Sequence, residues 1–78
     1  MILTIDTLSE LATIYRDKAE KARVLRERLK VRAKSDDADI SNQSAHQAGI
    51  YNAEYHLCMR YEQALCEAIN ALKGHQNP

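Results

Sequence analysis

From Leu8 to Ala33 an apolar residue returns at every third or fourth position, and neither glycine nor proline interrupts the run. A half-buried strand would alternate instead. This spacing keeps Leu8, Leu11, Ala12, Tyr15, Ala19, Ala22, Leu25, Leu29 and Ala33 on one helical face, in the three-four repeat of a left-handed packed seam. Thr7-Leu8-Ser9-Glu10 reads as a capping box that starts this helix, with Ile5 ahead of it folding toward Leu11 as a staple. The first helix is expected over about 7–34.

The segment Ser35-Asp36-Asp37-Ala38-Asp39-Ile40-Ser41-Asn42 is rich in residues whose side chains compete for backbone groups, and it reads as the connector. Ser41 or Asn42 is the expected cap of a second helix over about 42–73, with Gly74 as its C′ residue. A short loop between two long helices makes them antiparallel neighbours. The expected fold is all-α: one helical-hairpin domain spanning 1–78, with loose ends at 1–6 and 74–78. A chain of 78 residues is marginal unless something staples it.

Disulfides do not supply that staple. Cys58 and Cys66 lie eight apart on one helix, about 12 Å along the axis, whereas a bridge needs Cα atoms within about 7 Å. Free thiols fit a reducing, cytoplasmic setting. The start, Met1-Ile2-Leu3-Thr4-Ile5-Asp6, has no basic region ahead of an apolar run, so a signal peptide is not expected, and no stretch reads as a membrane span.

The second helix points to the missing staple. On a wheel, Asn52, His56, Arg60, Gln63, Glu67 and Asn70 form one narrow strip, expected to face solvent. Nearly everything else is apolar. One edge carries Ala48, Tyr51, Tyr55, Cys58, Leu65, Ile69 and Leu72; the other carries Ile50, Ala53, Leu57, Tyr61, Ala64, Ala68 and Ala71. Together they cover about two-thirds of the circumference, well beyond the stripe of an ordinary surface helix. One antiparallel neighbour covers one edge. The other edge calls for a second partner, by self-association or with another chain, completing a four-helix bundle. The expected partner-binding residues are Ile50, Leu57, Tyr61 and Ala64, or Tyr51 and Tyr55 if the hairpin uses the other edge. Tyrosines suit such a surface because the ring buries area and the hydroxyl finds a partner.

Charge is unevenly spread although the net is zero. Arg16 to Lys34 holds nine basic and three acidic residues; the remainder holds two basic and eight acidic. Lys18 and Arg26 intrude on the apolar face of the first helix, and Glu54 and Glu62 on that of the second. In an antiparallel hairpin with these boundaries, facing residue numbers total roughly 77 to 80. Glu54 is therefore expected opposite Arg26, and Glu62 opposite Lys18, as structural ion pairs that set register more than stability.

No catalytic, metal or cofactor site is expected. His56 and Cys58 point about 160° apart on a helix, and no C-x-x-C or H-x-x-x-H occurs. Asp37-Ala38-Asp39-Ile40-Ser41 echoes a calcium loop but lacks its glycine and terminal glutamate. Glu54 and Glu62 are too far apart for shared acid–base work, and nucleophile–base arrangements and phosphate loops are absent. The basic residues from Arg16 to Lys34 scatter around the helix rather than forming one stripe. Nucleic-acid association through the first helix is thus the second reading, behind a non-enzymatic protein–protein interaction module of adaptor, co-chaperone or inhibitor type. In size and layout the chain resembles the small hairpin co-chaperones of type III secretion needles. That likeness is one of architecture, carried by no motif, and it implies a co-chaperone role.

Overall fold

The computed structural model describes residues 4–76. They form two helices, α1 (Ile5–Arg32) and α2 (Ala38–Gln76), folded back on each other as a hairpin, with no strand among the described residues. The molecule is a rod of 62 × 18 × 15 Å. Of the ends expected to be loose, 1–3 and 77–78 lie outside the described residues, while Ile5, Asp6 and 74–76 are helical.

Both helix starts fall earlier than the expected caps, for one reason: a nearer side chain takes the orphan amides first. At α1 the N-cap is Thr4, whose Oγ1 accepts from the Thr7 amide at 3.1 Å. Thr7 is therefore the third residue of the helix and not its cap, and its hydroxyl bonds that of Thr4 at 3.0 Å. Ile5 is the first helical residue, so it is not a staple lying outside the helix. At α2 the Oδ1 of Asp37 accepts from the Asp39 amide at 2.9 Å and the Ile40 amide at 3.3 Å. That starts the helix four residues before Asn42.

Ser41 is thereby released for a different task. Its hydroxyl donates to the Ala33 carbonyl at 2.6 Å and clasps the end of α1. The amides of Lys34 and Ser35 close onto the carbonyls of Val31 and Arg32, so α1 ends at Arg32 rather than Lys34. Gly74 is not a C′ residue, because α2 runs through it to Gln76 and no glycine among the described residues has positive φ. Removing the Asp37 cap by Asp37→Ala should cost about 1 kcal/mol. It should appear as a lower urea midpoint at unchanged slope; an unmoved midpoint would mean that the Asp37 carboxylate does not hold the start of α2.

The seam between the helices is built from small side chains. Leu8, Ala12, Ala19 and Ala22 of α1 and Ser44, Ala48 and Cys58 of α2 are buried. Tyr15, Arg26 and Leu29 continue the α1 row half-buried; Tyr51, Tyr55, Glu62, Leu65, Ile69 and Leu72 continue that of α2. Both rows alternate steps of three and four. Alanine and serine at the contact let two backbones approach closely, but a single layer between two helices shuts out water only partly. Accordingly, no large side chain among the described residues is fully buried. No buried side-chain nitrogen or oxygen there lacks a hydrogen-bond partner.

The register matches the expected offset, but the ion pairs do not. Arg16 meets Glu62 at 2.9 Å, and Arg26 meets Asn52 at 2.9 Å. The residue numbers of each of these pairs total 78. Glu62 thus takes Arg16 and not Lys18, whose ammonium lies over the Tyr15 ring at 5.6 Å. Arg26 takes Asn52, the Glu27 carboxylate at 3.0 Å and the face of Tyr55 at 4.9 Å, and not Glu54, which is exposed. Arg16 lies half a turn from Lys18 and reaches the flank of Glu62 without crossing the apolar seam.

Candidate functional site

The seam rows give the hairpin two unlike broad sides. In an α-helix the residue after a seam position turns about 100° to one side, and the residue before it turns to the other. In an antiparallel pair, the residues that follow seam positions share a side across both helices. The contacts agree: Arg26 reaches Asn52, and Arg16 reaches Glu62. Lys30, Ala33, Ala45, Ala48, Gly49 and Asn52 line one shallow depression on that side.

That first side is polar. It presents Ser9, Thr13, Arg16, Glu20, Arg23, Glu27 and Lys30 from α1, and Asn52, His56, Gln63, Cys66 and Asn70 from α2, with Met59 as its exposed apolar exception. The charges that α1 places there are paired within the chain. Arg23 grips Glu20 at 2.6 Å, and Lys30 lies 3.6 Å from Glu27. The bond to Glu62 holds the Arg16 guanidinium above its ordinary pKa. The forked bond from Arg23 holds Glu20 below the usual carboxylate value. Burial pushes Glu27 up, but Arg26 and Lys30 outweigh it and leave Glu27 lowered.

The second side is apolar. From α2 it presents Ile50, Leu57, Tyr61, Ala64, Ala68 and Ala71, with Gln47 and Glu54 as its polar members, all exposed, while Ala53 faces outward between the two sides; Ile50 is 54% accessible, Leu57 49% and Tyr61 47%. Of the six residues expected to bind a partner, Ile50, Leu57, Tyr61 and Ala64 lie here. Tyr51 and Tyr55 lie half-buried in the seam against α1, and the Tyr55 ring also meets His56 edge-on. The Tyr61 ring packs 5.1 Å from that of Tyr15, which fixes its aromatic face at the border between seam and surface. The expected solvent strip holds for His56, Arg60, Gln63, Glu67 and Asn70. It fails for Asn52, which is half-buried by its bond to Arg26.

The first helix contributes a further row, and it corrects the expected seam: Leu11 and Leu25 are expected in that seam, but Ala12 and Arg26 take the seam positions and Leu25 is exposed. Leu11, Ile14, Lys18, Lys21, Leu25 and Arg28 each precede a seam residue and so share the apolar side with Ile50 and Leu57. Ile14 and Leu25 are exposed. The signal was present as the position one before each seam residue in both helices, but using it requires knowing which stripe of α1 is the seam.

Among the described residues no three metal-capable side chains gather, and no helix is long and apolar enough to cross a membrane. No protein-family profile, curated protein or solved structure matches the chain.

Proposed function

We propose that this chain is a non-enzymatic protein–protein interaction module, of adaptor, co-chaperone or inhibitor type, that docks through the apolar side of the hairpin. The carrying observation is the row Ile50, Leu57 and Tyr61, about half exposed and aligned on one face of α2. Burying what remains exposed on each would contribute about 1 kcal/mol or more. That is a large increment for a chain of this size, whose total stability is a few kcal/mol. Helices from another chain, a second copy or a different protein, would complete a four-helix bundle and cover the row.

Light scattering across a concentration series, with binding of an apolar dye measured alongside, tests this. The expected result is either a mass above the 8.9 kDa of one chain or a monomer that binds the dye strongly. A sharply melting monomer that binds none would sink the reading, because no apolar face would then be available.

A further inference from the structure

The cations of the two sides are treated differently. On the polar side Arg16, Arg23 and Lys30 each have a carboxylate of this chain within ion-pair distance. On the apolar side Lys18 rests on a tyrosine ring, and neither Lys21 nor Arg28 forms an ion pair among the described residues. These three alternate along α1 with Ile14 and Leu25, beside Ile50 and Leu57 of α2. Their span from Lys18 to Arg28 is about 15 Å, close to three helical turns.

We propose that the apolar side binds an amphipathic helix of a different protein, whose apolar stripe is bordered by acidic residues facing α1. This rests on the interaction reading above and names the chemistry of its partner. Two adjacent helices with three-four spacing leave a groove that fits a third helix. The α2 wall of that groove is apolar except for Gln47 and Glu54, and the α1 wall is cationic, so a helix seated there meets both demands with one acidic flank facing α1. Acids placed opposite Lys21 and Arg28 would gain partners that the hairpin does not itself supply.

A second copy fits less well. A symmetric dimer joins like patches, so each copy would bring Lys18, Lys21 and Arg28 to the interface and only Glu54 as a carboxylate. Three cations against one acid from each copy would leave uncompensated positive charge in a desolvated interface. Nucleic acid would satisfy the cations but would leave Ile14, Leu25, Ile50 and Leu57 against phosphate and water.

The test uses the full chain and two labelled synthetic helical peptides with one shared leucine–alanine stripe, flanked by glutamates in one and lysines in the other. The glutamate-flanked peptide should bind on the order of ten-fold tighter at low salt, and the advantage should shrink as salt rises. The double variant Lys21→Glu with Arg28→Glu, both exposed positions, should reverse the preference while keeping its helical circular dichroism. Equal binding of both peptides would overturn the acidic flank and leave apolar docking standing. Binding of neither would overturn the proposal, and the interaction reading falls with it only if the apolar dye also fails to bind. A concentration-dependent dimer abolished by Leu57→Glu would assign the face to a second copy. Salt-sensitive binding of a DNA duplex, lost in the double variant, would assign it to nucleic acid; either result overturns the proposal.

Discussion

Leucine in place of both Ala19 and Ala22 should leave the hairpin largely unfolded at room temperature. These two alanines are 2% and 3% accessible, and the register sets them against Tyr55 and Cys58 of α2. Each added isobutyl group has nowhere to go except between the helices. Overpacking of this kind costs about 1–3 kcal/mol per site. Two such sites in one contact act on a chain whose whole stability is a few kcal/mol. Leucine is nearly as good a helix former as alanine, so propensity does not explain a loss. Circular dichroism during urea titration reads the effect. A variant more stable than the parent would show that the seam holds unfilled space and that small size is not what these positions require.

The converse result is expected at Leu57→Glu. Leu57 is about half exposed and lies outside the buried seam row, and glutamate is a good helix former. Stability of the isolated chain should stay within about 0.5 kcal/mol. Association should weaken by about 2 kcal/mol or more, on the order of thirty-fold, because a charge would enter the centre of the docking row. A thermal melt paired with a binding titration separates the two. A variant that loses stability in step with binding would place Leu57 in the hairpin core and move the docking surface elsewhere.

The helices and their register were legible because periodicity integrates over many residues, while boundaries turn on one or two. Thr4 and Thr7 both offer a side-chain oxygen ahead of free amides, and so do Asp37 and Ser41. In each case the earlier residue captured the amides. Glu62 shows a different limit. Arg16 and Lys18 lie at nearly the same height along α1, on opposite flanks, and height alone cannot choose between them. Geometry chose the arginine, whose planar guanidinium donates through Nε to the carboxylate from the polar flank. Asn52 was misplaced because Arg26, long enough to leave the seam sideways, draws it in. Leu25 reads as a seam residue because an apolar stripe steps from Ala22 to Leu25, whereas the observed seam steps by four to Arg26 and leaves Leu25 exposed beside Lys21 and Arg28.

The Ser41–Ala33 clasp has a consequence for the order of assembly. It joins residues eight apart in the chain, whereas Arg16 and Glu62 are 46 apart. Each doubling of the loop to be closed adds about 0.6 kcal/mol of entropy cost. On this entropy argument the hairpin is expected to close as a zipper from its turn and to open first at the opposite end, near Leu8 and Leu72. Ile50 and Leu57 lie in the turn-proximal half, level with Arg28 and Lys21; Tyr61 and Ala64 lie farther toward the end that opens. A partner docking as proposed would then meet the turn end of the groove before the open end. Its insertion along the groove would complete the zipper that the two helices begin.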